Sequence, residues 1–325
     1  MSKRESSEKV AEKKKLIIGT RGSDLALVQA AMVERLLGEK FPQIEIIINV
    51  ISTTGDRRTD IPLSELAKVE GVFDKGVFTK ELEIALEAGE IDLAVHSLKD
   101  VPTVLPEEFE ICSVLERAPV NDILICKKEG GLEGLKEGAI VATGSVRRQK
   151  MLQWMRPDLK LVDIRGNVPT RLRKLAESST VEAIILAEAG LMRLGYDALG
   201  EMQTEAGSVY GAMIDPEKFL PSAGQGCVGI EVRKGDADTI AYVQQISHQP
   251  TFTRITAERE FLRLLDGGCH TPVGVATQLF GDKILMEGIV FPEGEVVSLP
   301  YQSEASGNAD QPLKVAAELF AGLSI

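Results

Sequence analysis

The feature that most limits how this chain can fold is a grammar that repeats and then changes. Short apolar, β-branched runs alternate with amphipathic helical stretches through short connections, twice over, which is an α/β signature. In the first block, residues 16–19, 44–51 and 91–95 are predicted strands. Ser23 is placed to cap a helix over 24–39, whose apolar residues Leu25, Val28, Ala31, Met32 and Leu36 recur at helical spacing. A second amphipathic helix is predicted over 78–87. The second block reads strand 139–143, helix 145–155, strand 160–164, helix 167–177 and strand 183–187, with no sequence repeat of the first. From about Gln249 the pattern differs. A helix over 251–265 precedes apolar segments 273–280, 284–291 and 296–304, broken by Gly281-Asp282 and Pro292-Glu293-Gly294 as hairpin turns would break them. A last helix over 312–321 closes an α+β module, so three domains fit the 325 residues better than two.

In open α/β sheets, ligands bind beyond the carboxyl ends of the strands, so the residues there deserve first inspection. Thr20-Arg21-Gly22-Ser23 follows the first strand, and His96-Ser97-Leu98-Lys99-Asp100-Val101-Pro102 follows the strand at 91–95. Thr143-Gly144-Ser145-Val146-Arg147-Arg148 and Arg165-Gly166-Asn167-Val168-Pro169-Thr170-Arg171 stand in the same place in the second block. Helix N-termini with arginine forks beside them capture anions, so several of them converging imply a ligand rich in carboxylates or phosphates. No dinucleotide or P-loop glycine pattern accompanies them. A carboxylate at Asp100 either points into the same crevice or caps its own turn. His96 reads more simply as a core histidine. Gly224-Gln225-Gly226 reads as a hinge or crossing between domains, since glycine allows unusual dihedrals. In Gly267-Gly268-Cys269-His270, Cys269 is either a buried thiol or a nucleophile or attachment point on an exposed loop.

A net charge of −12 sets the whole-molecule field against nucleic acid and anionic membrane, and 5% aromatic residues argue against a base-stacking platform. Four scattered cysteines and three histidines offer neither a CxxC pair nor an HExxH pattern, so no metal and no disulfide framework are expected. No apolar run approaches a membrane span, and residues 1–15 mix Lys, Glu and Ser as a disordered lead-in without a secretory core. The expected location is the cytoplasm.

Taken together, the motifs resemble those of the porphobilinogen deaminase (hydroxymethylbilane synthase) family. Arg21-x-Ser23, Val95-His96-Ser97-Leu98-Lys99-Asp100-Val101-Pro102, Ser145-x-Arg147-Arg148-Gln149 and Arg165-Gly166-Asn167-x-x-Thr170-Arg171 occur in the family's order. Ala187-x-Ala189-Gly190-Leu191-x-Arg193, Gly224-Gln225-Gly226 and Gly267-Gly268-Cys269 continue it, and the match runs over residues 16–321.

The resemblance implies an α/β protein whose first two domains are like type II periplasmic binding proteins, with mixed sheets flanked by helices. The third is a small α+β domain with an antiparallel sheet. The implied divisions are 16–115 plus 227–244, 121–220, and 249–325. It implies a monomeric transferase that joins four porphobilinogen molecules head to tail, losing ammonia each time, and releases a linear hydroxymethylbilane by hydrolysis. A dipyrromethane cofactor would hang from Cys269, and Asp100 would be the catalytic carboxylate. Lys99, Ser145, Arg147, Arg148, Arg165 and Arg171 would hold carboxylates. Arg21, Ser23, Ser97, Thr143, Gly190, Arg193, Gln225 and Gly226 complete the implied contacts. The chain departs from the family pattern at Gly144, where a hydroxyl is missing, at Pro169, and in a longer loop at 68–76. Two other classes compete: a non-catalytic anion-binding module, which has no need of Asp100 or Cys269, and a cysteine hydrolase, which lacks a credible facing histidine.

Overall fold

Strand β1 (Lys15–Thr20) runs parallel to β2 (Glu45–Val50) on one side and β3 (Leu93–Ser97) on the other. The computed structural model describes residues 15–57, 78–267, 271–292, 294 and 299–324. The expected lead-in, apart from Lys15, lies outside the described residues, as do the 68–76 loop and Cys269. Helix α1 (Asp24–Lys40) starts where Ser23 caps it, the hydroxyl accepting from the Ala26 amide at 3.4 Å, and Asp24 adds negative charge to the first turn. Its buried stripe is Ala26, Ala30, Val33 and Leu37, with Ala31 exposed, so the helix is rotated about one residue from the expected face. The reason is that α1 serves two surfaces. The stripe covers the sheet, and burying Val33 and Leu37 contributes about 1.5–3 kcal/mol each. Leu25 is left to border the cleft described below.

The two α/β units share one topology. Sheet A has the order β2-β1-β3-β11-β4, where β4 is Phe109–Val114 and β11 is Val228–Arg233. Sheet B contains β5 (Asp122–Cys126), β6 (Ile140–Ala142), β7 (Lys160–Val162), β8 (Val181–Ala187), β9 (Glu201–Thr204) and β10 (Gly207–Met213). Its order is β7-β6-β8-β5-β10-β9. In each sheet the strand that arrives from the other one lies antiparallel beside the third: β11 against β3, and β5 against β8. Each sheet is thus mixed, its first three strands parallel and the arriving strand reversed. The arriving strands are covered on both faces, so β5 is buried throughout and even Glu231 of β11 is buried, paired with His96.

Helices α2 (Lys80–Glu87), α3 (Val146–Met155), α4 (Val168–Glu177), α5 (Glu188–Arg193) and α6 (Ala237–Gln244) complete these layers. Ser145 and Asn167 cap α3 and α4 through their side chains. Pro169 falls in the first turn of α4, where its missing N–H would have had no helical partner. Helix α7 (Gln249–Leu264) leads to sheet C, a meander of β12 (Val273–Phe280), β13 (Lys283–Val290) and β14 (Tyr301–Asn308), and α8 (Pro312–Gly322) packs on it. Residues 296–298 of the expected segment lie outside the described residues, and among those described the third strand starts at Tyr301. It is an edge strand whose inner residues Ser303, Ala305 and Gly307 must be small to admit α8. A Cβ at position 307 would meet Val315 at 2.6 Å. Its periodicity is one of size rather than polarity.

A single carboxylate ties the three sheets together. Glu258 of α7 takes a bidentate bond from Arg117, at 2.5 and 2.8 Å, on the crossover between β4 and β5. It also accepts from the Gly224 amide at 2.9 Å on the returning crossover, and from the Thr277 hydroxyl on β12. Arg117 in turn donates through Nε to the Gln225 carbonyl. Burial pushes the Glu258 carboxyl up, but Arg117 outweighs it and holds the group ionised below the usual range. Among the described residues no helix is long and apolar enough to cross a membrane. Glu258→Gln strands a buried guanidinium, so urea unfolding is expected to show a loss of about 3–5 kcal/mol. A loss within the range of an ordinary surface substitution would contradict this role.

Candidate active site

The carboxyl ends of the sheet A and sheet B strands face each other across a cleft of about 1240 Å³, closed on a third side by α7. At the end of β3 the chain makes one 3₁₀ turn, Leu98–Asp100, anchored by buried Leu98 and by its amide bond to the Cys227 carbonyl at 3.0 Å. Gly224 presses against this turn with φ of +74°, and a Cβ there would lie 3.1 Å from the Lys99 amide nitrogen. The turn therefore sets Lys99 and Asp100 on the cleft floor. Among the described residues the Asp100 carboxylate caps no backbone amide, so the turn-cap alternative does not describe it. It lies within electrostatic reach of Lys99 and Arg171.

The floor is cationic and crowded. Burial, with Arg148 beside it, pulls the Lys99 ammonium down to about 8, against the opposing pull of Asp100 and Asp122. Burial, joined by Arg148 and Arg165, pulls Arg171 down to about 10, and Asp100 opposes that shift. Arg171 is aimed by an Nε bond to the Gly166 carbonyl at 2.7 Å, and Arg165 lies on the same wall. Arg193 donates to the Gly226 carbonyl at 2.8 Å, while its Nε is buried without a partner.

Arg147 and Arg148 have a partner that sequence reading did not find. Asp122, at the head of β5, accepts from Arg147 at 2.7 Å and from Arg148 at 2.6 and 3.1 Å. Gln225, fully buried, donates to the same oxygen at 3.1 Å. The Leu220 and Ile185 carbonyls take further bonds from Arg147 and Arg148. Burial pushes Asp122 up, but the two guanidinium groups outweigh it and bring it down to about 2. A guanidinium carries five donors, and these bonds engage three of those on Arg148, which lines the cleft.

Other expected residues divide plainly. Ser23, Ser145, Gly190, Gln225 and Gly226 line the cleft. Ser97 does too, with its hydroxyl exchanged with Gln29 at 2.9 Å. Thr143 does not: it is buried, and its hydroxyl accepts from the Ser145 amide at 3.3 Å. Arg21 stacks over the Phe78 ring at 4.1 Å, a contact the sequence hid because Phe78 was read as the start of a helix. Phe78 instead sits just before α2 against Gly55, where any side chain would strike the ring at 2.1 Å. His96 is buried against Glu231 at 2.9 Å and faces the core, as the simpler reading has it. The described cysteines are poor nucleophiles. Burial pushes Cys126 up to about 11 and Cys112 and Cys227 to about 12.

This cleft, lined by arginine on both walls with Asp100 on its floor, is matched by what the chain resembles. Residues 16–241 match the family model of the porphobilinogen deaminase dipyromethane cofactor binding domain, and residues 252–321 match that of the porphobilinogen deaminase C-terminal domain. The chain belongs to the porphobilinogen deaminase family. It is 43% identical over 279 residues to a porphobilinogen deaminase of Roseiflexus sp. (strain RS-1), covering 86% of each chain. It is 42% identical over 306 residues to that of Paracoccus denitrificans (strain Pd 1222), covering 93% of this chain and 92% of the other. The residues present suit the family's dipyrromethane, a group bearing several carboxylates. The buried Arg193 Nε lacks an acceptor, and the cleft's cations outnumber its carboxylates. Gly267 and Thr271, the described residues flanking 268–270, line the same cleft.

Protonated Lys99 is the form that attracts a carboxylate, and it is lost as pH rises through about 8. Affinity for a carboxylated pyrrole is therefore expected to weaken across that pH in the native enzyme and to weaken less in Lys99→Gln. Titrations that fall off equally in both proteins would remove Lys99 from the binding surface.

Proposed function

We propose that this cleft joins porphobilinogen units on a dipyrromethane held through Cys269, making the chain a hydroxymethylbilane synthase of tetrapyrrole biosynthesis. The observation that carries the reading is the Lys99–Asp100 turn, which sets a carboxylate on the floor of a cleft where cations outnumber carboxylates. Each porphobilinogen carries an acetate and a propionate, so a growing chain presents many carboxylates and needs many cations. When bound, the dipyrromethane supplies the pyrrole carbon on which the chain grows.

Arg165, Arg171, Arg193 and Lys99 would hold carboxylates of cofactor and substrate, and the free donors of Arg148 would add to them. Arg147 braces Arg148 through their shared Asp122. Ser145 and Ser23, as helix caps, keep the N-termini of α3 and α1 turned toward the cleft. Arg21 on Phe78 forms a flat cationic wall, and Gly190 and Gly226 leave room for the chain near the crossover, where buried Gln225 steadies Asp122. Thr143 supports the site by shaping the turn before Ser145.

The Asp100 carboxylate would accept a hydrogen bond from the substrate's amine and offset the positive charge that develops as the carbon–nitrogen bond breaks. Protein groups that already point at this charge need no reorganisation during the step, which makes their contribution large. The three high-pKa thiols among the described cysteines, Cys126 and Cys227 buried and Cys112 half-buried, favour Cys269 as the attachment point. The division into 16–115 plus 227–244, 121–220 and 249–325 follows the three sheets and leaves the crossovers as linkers. We also infer a cytoplasmic monomer that does not bind nucleic acid, in keeping with the net charge of −12.

Two measurements test this reading. The purified protein is expected to exceed its sequence mass by two linked pyrrole units, and Cys269→Ser to lose that increment while Cys112→Ser keeps it. Asp100→Asn is expected to load the dipyrromethane yet form the first substrate adduct on the order of 10²–10³ times more slowly in single turnover. Adduct formation at the native rate would return Asp100 to the role of a turn residue.

A further inference from the structure

We infer that Arg259 is a positioning residue for this reaction: it locks the segment after Asp100 to the helix that leads into the Cys269 loop. The inference rests on the reading that Asp100 does the chemistry and Cys269 carries the dipyrromethane. Arg259 of α7 donates to three successive carbonyls, Val101 at 3.1 Å, Pro102 at 2.6 Å and Thr103 at 3.4 Å. These carbonyls lie outside any helix or strand, so a donor from elsewhere has to satisfy them. Pro102 fixes its own φ and offers no N–H, which leaves the segment few means of holding itself.

The other end of the link is equally fixed. Glu258, the residue before Arg259, is the carboxylate clamped by Arg117 and the Gly224 amide. The backbone that carries Arg259 is thus immobilised from the hinge side. After α7 the Gly267 amide bonds back to the Leu262 carbonyl at 2.9 Å, and the Thr103 hydroxyl donates to the Gly267 carbonyl at 3.3 Å. A continuous path of bonds therefore runs from the Asp100 turn through Val101–Pro102–Thr103 and Arg259 to Gly267, two residues before Cys269. Arg259 itself borders the cleft.

The chemistry explains why arginine stands here. Three acceptors in a row need donors in a fixed plane, and a guanidinium fork supplies them where an ammonium is a single point charge on a flexible stem. With the fork lost, the Asp100 turn and the Gly267 end of α7 would no longer share one frame. Misplacing a reacting group by about 1 Å costs on the order of 10²-fold in rate. The effect should fall on the chemical step and spare the carboxylate-binding walls on sheet B.

The test uses the full chain carrying its cofactor. Arg259→Lys is expected to show the full cofactor increment by intact mass, an unchanged dissociation constant for porphobilinogen, and first-adduct formation about 10–10²-fold slower in single turnover. Glu260→Gln, one residue along and paired with Arg263, serves as the control and is expected to keep the native rate. If Arg259→Lys loads and reacts at the native rate, the positioning role is overturned. So is it if the rate falls only in proportion to the fraction of chains carrying cofactor. Should Arg259→Lys fail to fold, Thr103→Val decides: a several-fold slower adduct supports the link, and a native rate rejects it. Asp100→Asn run in parallel separates the two claims, because a native rate there removes the catalytic reading, whatever Arg259→Lys shows.

Discussion

A carboxylate sealed from water has to be matched donor by donor, and Glu258 is matched by groups from parts of the chain that would otherwise have little reason to meet. Arg117 comes from one crossover, the Gly224 amide from the other, and Thr277 from sheet C. Coulomb attraction inside the protein has to offset the loss of hydration for both ions, and it does so only with this geometry. The relative placement of the three sheets is therefore specified sharply. Apolar contact alone would bring them together with more latitude, since it has no direction. The cleft inherits that definition, because Gly224 presses on the Asp100 turn and Arg259 follows Glu258 in the same helix.

Burying cations together in one cleft carries a cost: burial first, and the neighbouring Arg148 second, pull Lys99 and Arg171 down. Asp122 relieves part of it. A single buried anion between Arg147 and Arg148 halves the local charge and directs both guanidiniums, while leaving donors over. The floor can stay assembled and still attract carboxylates. Asp100 then stands among cations at the cleft floor, a carboxylate placed to offset a developing positive charge.

How much of this was legible in the sequence depends on how local the cause is. Ser23, Ser145 and Asn167 cap their helices through bonds spanning three residues, so the motifs located the strand ends and most of the cleft. Strand β12 was placed to the residue, because its apolar run is bounded by turn glycine. The partners that define the site are remote in sequence. Asp122 stands 25 residues from Arg147, and Glu258 stands 141 from Arg117. The available signal was an acid at the head of an otherwise apolar strand and another within a helix, and each alone reads as surface. Phe78 was lost to a helix boundary, and β14 to a pattern of small residues that apolar periodicity does not register.

The two crossovers also bear on how the protein is made. Sheet B is built from one continuous stretch, β5 to β10, and can close as soon as that stretch has left the ribosome. Sheet A cannot. Its β3 and β4 are separated by the place that β11 fills, and β11 ends at Arg233. Until more than two-thirds of the chain has been synthesised, the half that carries Asp100 waits with strand edges open to mispairing. Sheet B can thus close before sheet A, although sheet A begins earlier in the chain. Substitutions that weaken β11 should therefore reduce the yield of folded protein more than they reduce its stability once formed.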